Sequence, residues 1–202
     1  MSFLGDIESF SQTNLKKVDT QVTTAAGKRL VETRSDGSFS QKTVEGKSMG
    51  FVCDTKPDFQ VLEVRPGVLL GSQDVAANLE LLQKHHVTHI LNVATGIVNF
   101  FPNQFIYKTV EILDVPETDI TGYFAECFQF IDAAKATGKV LVHCNAGVSR
   151  SPSVVIAYLM STEGVSLGAI LDELRGERPA VRPNDGFMKC LEEYERRLKD
   201  KK

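Results

Sequence analysis

From Lys139 the chain reads Lys139-Val140-Leu141-Val142-His143-Cys144-Asn145-Ala146-Gly147-Val148-Ser149-Arg150-Ser151, followed by an apolar run from Ser153 to Met160. Within the first five residues Val140, Leu141 and Val142 form an apolar run with two β-branched valines, which predicts a buried central strand. The later run predicts an apolar helix. A strand that passes into a helix through one tight turn is the unit of an α/β domain.

Strand and helix patterns alternate on both sides of this stretch. Gln60–Val64 and Val68–Gly71 read as strands paired around the turn Pro66-Gly67. Asp74–Lys84 has helical spacing, Thr88–Val93 reads as a short buried strand and Phe105–Leu113 as another. Phe124, Cys127, Phe128, Ile131 and Ala134 recur on one helical face that ends near Gly138. Two further helices, Ser166–Arg175 and Gly186–Lys199, close the chain. The expected architecture is α/β, with a central, mostly parallel sheet flanked by helices and buried on both faces. Residues 1–57 are rich in Ser, Thr, Gly, Lys and Asp and read as a partly flexible N-terminal extension, with a weak helix at Phe3–Phe10 and a linker over Thr33–Lys47. Residues 58–202 form the predicted α/β domain.

The turn at His143–Arg150 has the pattern His-Cys-x5-Arg. The first N–H groups of a helix lack intrahelical partners, and the helix dipole places partial positive charge there, so an anion such as phosphate is favoured. Curling Asn145, Ala146, Gly147, Val148 and Ser149 around that anion aims successive N–H groups inward, and Gly147 permits a conformation that a side chain would oppose. Arg150 adds a planar, always-charged fork able to grip two phosphate oxygens. The same field stabilises a thiolate on Cys144 at the base of the loop, which is the nucleophile needed to form a phosphocysteine. Ser151 is placed to donate a hydrogen bond to that sulfur, and His143 to orient the loop rather than to titrate. The plain alternative is a buried cysteine acting as a small core residue. His, Cys, Gly and Arg at these spacings, between an apolar strand and an apolar helix, argue against it.

Thiolate attack needs a proton for the leaving oxygen. Asp114 is the first carboxylate beyond the Phe105–Leu113 strand and is the expected general acid, with a turn residue as its bland reading. Glu117 and Asp119 are read as solvating or capping groups.

These residues resemble the dual-specificity branch of the protein tyrosine phosphatases, and its small atypical members most. The resemblance covers about residues 58–198. It rests on His143 to Ser151, Asp114, Arg178-Pro179 and Pro183-Asn184-Asp185-Gly186-Phe187. It implies a protein tyrosine phosphatase-like fold and hydrolysis of phosphotyrosine and phosphoserine/phosphothreonine without metal or organic cofactor. It further implies that Asn184 braces the phosphate loop, and that the substrates include kinases of stress-activated MAP kinase signalling. Leu113-Asp114-Val115 stands where deep-pocket tyrosine phosphatases have Trp-Pro-Asp. The loop interior also lacks the Lys that phosphoinositide phosphatases often carry, which points to phosphoprotein.

Composition narrows the partners. A net charge of −3 argues against non-specific nucleic-acid binding. No stretch approaches the roughly 20 apolar residues of a membrane span. Four scattered cysteines, Cys53, Cys127, Cys144 and Cys190, fit neither a zinc site nor a disulfide framework, and imply a reducing compartment, cytoplasmic or nuclear. A phospho-dependent scaffold is the competing class of function. The complete set Asp114, Cys144, Arg150 and Ser151 speaks against it. Action on a lipid, RNA cap or glucan has no supporting module or basic surface.

Overall fold

The computed structural model describes residues 57–200, together with three strands of the N-terminal region. The chain divides into two compact units, Met1–Cys53 and Asp54–Lys202. The first contains β1 (Thr20–Thr23), β2 (Arg29–Ser35) and β3 (Ser38–Val44), joined as an antiparallel meander in that order. Ser35 pairs with Ser38, and the residues between them are Asp36-Gly37, the dipeptide that marks a tight hairpin. The linker expected over Thr33–Lys47 is therefore largely strand. Its Ser, Thr and Lys content hid a β-hairpin whose turn signal was legible. The helix expected at Phe3–Phe10 lies outside the described residues.

The second unit is built on a five-stranded sheet of order β4-β5-β8-β6-β7. Its strands are β4 (Leu62–Arg65), β5 (Val68–Gly71), β6 (His89–Asn92), β7 (Ile106–Thr109) and β8 (Val140–His143). Only β4 and β5 pair antiparallel. The helices are α1 (Gln73–Ala76), α2 (Leu79–Lys84), α3 (Phe124–Thr137), α4 (Arg150–Glu163), α5 (Leu167–Glu177) and α6 (Asp185–Lys199).

The central strands β5, β8 and β6 are buried on both sides because their apolar residues alternate between two cores, whereas β7, expected to be buried, lies at the sheet edge with Ile106 and Thr109 exposed. Val68, Leu70, Leu91, Val140 and Val142 face the larger one, with side chains from α3, α4, α5 and α6. Leu69, Ile90 and Leu141 face the smaller one, with Val75, Ala76 and Leu82 from α1 and α2. Each such fully buried aliphatic side chain contributes roughly 1.5–3 kcal/mol, so both layers are held without a polar surface between them.

Two elements are shorter than their patterns predict. Asp74–Lys84 is split, because the Asn78 side chain accepts from the Leu81 N–H at 3.0 Å and caps a second helix, a side-chain bond that competes with helix continuation. The Phe105–Leu113 strand keeps its ladder only over Ile106–Thr109. Its partner β6 stops at Asn92, whose side chain turns to the Ala94 N–H and the Ile97 carbonyl, so the later residues have no strand to pair with.

The parallel register aligns the strand ends. Gly71 and Asn92 both pair with His143, and Asn92 pairs with Thr109. Loops leaving β5, β6, β7 and β8 therefore start from one edge of the sheet, where open α/β sheets place their ligands.

Candidate active site

The loop after β8 curls between that edge and α4. Gly147 has φ +65°, and a Cβ there would lie 2.7 Å from the Gly71 carbonyl oxygen and 2.8 Å from Arg178 Nη2. Both the positive φ and the close packing require glycine. Four successive carbonyls of the loop are held from outside: Asn145 O accepts from the Gln73 N–H at 2.7 Å, Ala146 O from Arg178 Nη2 at 2.8 Å, Gly147 O from Arg178 Nε at 3.2 Å and Val148 O from the Arg182 N–H at 2.8 Å. In a planar trans peptide the C=O and the following N–H point opposite ways. The N–H groups of Ala146, Gly147, Val148 and Ser149 are thereby turned to the inside of the loop, making an anion cradle.

Cys144, 2 % exposed, sits at its base. The buried Ser151 hydroxyl donates to Cys144 Sγ at 3.3 Å. Ser149 occupies the N-cap position of α4 but makes no cap bond; its hydroxyl donates to Asp114 Oδ1 at 2.8 Å and accepts from the Asn184 N–H at 3.1 Å. The first turn of α4 is thus left to an anion rather than to its own cap.

Asp114 is carried over the cradle by the segment after β7. Asn184 Nδ2 donates to its Oδ1 at 2.9 Å, and Asn184 Oδ1 caps α6 through the Phe187 N–H. A Cβ on Gly186 would lie 2.0 Å from the Pro116 carbonyl oxygen, so glycine there lets the Asp114 segment pack against the start of α6. Arg150, 7 % exposed, donates from Nη1 to the Ile112 carbonyl at 3.3 Å, and its Nε lies 3.3 Å from Asp114 Oδ2. That last pair is an ion pair without hydrogen-bond alignment. Among the described residues, Arg150 Nε and Asn145 Oδ1 are the buried side-chain polar atoms without a hydrogen-bond partner. Both belong to this loop, and a buried guanidinium N–H lacking an acceptor is costly unless a ligand supplies one.

His143 lies behind the loop, its Nδ1 3.3 Å from the Cys144 carbonyl. Burial pushes its pKa down to about 4; the hydrogen bond with the Cys144 carbonyl pulls it partly back up, and the charge of Arg150 adds a smaller downward push. The ring is neutral at physiological pH, which fits an orienting part. Its folded pKa lies below the ordinary 6.5, so the unfolded chain binds more protons between those values. The stability that His143 contributes is complete above pH 6.5 and is lost as pH falls toward 4. The unfolding midpoint should drop steeply through that window in the wild type and less steeply in His143→Gln. Equal slopes would remove His143 as the source.

The site residues expected from the sequence, Asp114, residues 143–151 and Asn184, thus meet at one place, while Asp119, read as a capping group, accepts from the Thr121 N–H at 3.0 Å. The sequence reading missed Gln73 and Asp58, whose contacts with this site cross long stretches of chain, and left Arg178 as a motif residue without a contact.

Residues 68–197 match the model of the dual specificity phosphatase catalytic domain. The chain belongs to the dual-specificity phosphatase family. It is 51% identical to mouse dual specificity protein phosphatase 19 over 193 residues, 94% of this chain and 88% of that protein. Among solved structures, human tyrosine phosphatase-like serine/threonine/tyrosine-interacting protein is similar at 38% identity and TM-score 0.63, covering 67% of this chain and 95% of that one. Human DUSP28 is similar at 31% identity and TM-score 0.65, covering 71% and 100%. The chain has a protein tyrosine phosphatase-like fold and is a dual-specificity protein phosphatase, with phosphoproteins as its substrates. No helix among the described residues is long and apolar enough to cross a membrane.

Proposed function

We propose that this phosphatase hydrolyses phosphotyrosine and phosphoserine/phosphothreonine through a phosphocysteine on Cys144, with residues 58–202 as its catalytic domain and 1–57 as an extension. The observation that carries this reading is the inward set of loop N–H groups above Cys144, with the unsatisfied Arg150 Nε beside them. A phosphate in the cradle takes its equatorial oxygens to those N–H groups and to Arg150, and draws Arg150 away from Asp114.

Cys144 Sγ then attacks phosphorus, the bond to the leaving oxygen breaks, and Asp114 gives that oxygen its proton. In the second step the Asp114 carboxylate takes a proton from water, the water oxygen attacks phosphorus, and the S–P bond breaks. The Ser151 hydroxyl, 3.3 Å from Sγ, stabilises the departing thiolate. Asn184 and Ser149 hold Asp114 in place for both steps. A phospho-binding scaffold needs the cradle but neither Ser151 against the sulfur nor Asp114 above it, so the arrangement favours catalysis. Kinases of stress-activated MAP kinase signalling, in the cytoplasm or nucleus, are the substrates that the family resemblance supports.

Asp114→Asn tests the mechanism. Turnover of aryl phosphates with poor leaving groups should fall about 10²-fold or more, and that of 4-nitrophenyl phosphate or better leaving groups far less. An equal loss across the series removes Asp114 as the proton donor.

A further inference from the structure

Arg178 is the side chain that turns two of the cradle's carbonyls outward, and it is 1% exposed. A buried guanidinium needs a counter-charge. Asp58, 120 residues away in the chain, supplies it through Oδ2 to Arg178 Nη2. The third corner of the fork, Nη1, meets Gln60 O and Gln60 Oε1, both at 3.3 Å. Because the guanidinium is planar and its donors fixed relative to one another, holding the Asp58 and Gln60 corners sets the direction of the two N–H groups that reach Ala146 and Gly147.

Asp58 reaches the cradle by a second route, through its own main chain. Its N–H donates to Asp74 Oδ2 at 2.9 Å, and its carbonyl accepts from the buried Ser72 hydroxyl at 2.7 Å. Ser72 Oγ in turn caps α1, accepting from the Asp74 N–H at 3.1 Å. The adjoining Gln73 N–H is the one that holds Asn145 O. Three of the four outward carbonyls are thus tied back to one residue that lies outside the family match at 68–197 and does not face the inside of the loop.

We propose that Asp58 is a positioning residue for the phosphate cradle: through Arg178 it holds the N–H groups of Gly147 and Val148 on the transferring phosphate. The proposal rests on the reading of this loop as the phosphate site. With Asp58 neutralised, Arg178 keeps its charge without a counter-ion and turns toward water, and the two peptides are freed to rotate. Misplaced donors weaken binding of the transition state more than of the substrate.

The test uses the full chain, with 4-nitrophenyl phosphate as substrate and orthovanadate as the oxyanion probe. In Asp58→Asn, kcat and vanadate affinity should each fall roughly ten- to a hundredfold while KM moves much less, because small displacements of positioning groups act on the reacting geometry. Asp58→Glu should recover most of the loss. Arg178→Lys keeps the buried charge but reaches only one carbonyl, and should show the same split. The double variant should lose little more than either single one, as expected for two residues in one network. A purely architectural role predicts a lower unfolding temperature with kcat and vanadate inhibition within about twofold of wild type, and that result in either single variant overturns the proposal. Should Asp58→Asn not fold, Arg178→Lys decides alone. Wild-type enzyme that vanadate does not inhibit would instead defeat the underlying assignment of the phosphate site.

Discussion

Cys144→Ser is expected to remove turnover of aryl phosphates, by about 10⁴-fold or more, since the variant hydroxyl has neither the ionisation nor the intrinsic nucleophilicity of a thiolate. Binding should survive. The cradle is held through the main chain of residues 145–148 and through donors on Gln73, Arg178 and Arg182, none of which touches the Cys144 side chain. Ser151 keeps an oxygen within reach in place of the sulfur. The expected result is a protein that captures phosphotyrosine and phosphothreonine peptides at near wild-type affinity and releases no phosphate. Residual turnover above about one part in a hundred would place the nucleophile elsewhere, because loss of the attacking atom leaves only binding and oxyanion stabilisation. The same variant, used to trap phosphoproteins from cells, reads out the substrates directly, and failure to enrich MAP kinase pathway kinases would remove that part of the proposal.

Arg150→Lys is expected to cost about 10²–10³-fold in kcat/KM, the scale for losing a preorganised donor at a developing charge. The charge is retained, so the loss isolates geometry. A guanidinium spans two phosphate oxygens, whereas an ammonium meets them as a point. Arg150 is also positioned by the Ile112 carbonyl and Asp114, contacts that a shorter head group cannot make together. Because the proposed mechanism has Arg150 meet phosphate in the ground state and in the transition state alike, KM should rise as kcat falls. The pattern differs from that of Asp114→Asn, where the loss follows the leaving group, and from that of Asp58→Asn, where KM is nearly still. A lysine variant with wild-type kinetics would show that Arg150 contributes charge alone.

The parts of this structure that sequence discloses are those whose physics is local. Val140-Leu141-Val142 is apolar, with two β-branched valines, and lies at the centre of the sheet, and the Cys144 loop follows it. Asp114 was legible as the first carboxylate beyond the apolar Phe105–Leu113 run, and Asn184 through the family resemblance alone. Elements set by their neighbours were not legible in full. β7 ends where β6 ends, and the helix expected over Asp74–Lys84 breaks at an Asn that caps. β2 and β3 were obscured by their polar composition. Least legible of all was the back of the cradle. Asp58 and Arg178 lie 120 residues apart, and neither local pattern refers to the other.

The outward hold on the loop carbonyls also bears on the order in which the enzyme is made. A chain leaves the ribosome from its N-terminus. Asp58 and Gln73 emerge early and Cys144 later, but Arg178, Arg182 and Asn184 arrive only with the final helices. Until they dock, three of the four carbonyls have no outside donor and Asp114 lacks its Asn184 brace. On the proposed mechanism the nascent polypeptide is expected to be silent toward phosphoproteins through most of its synthesis, and products truncated before Arg178 to carry Cys144 without the outside hold on its loop.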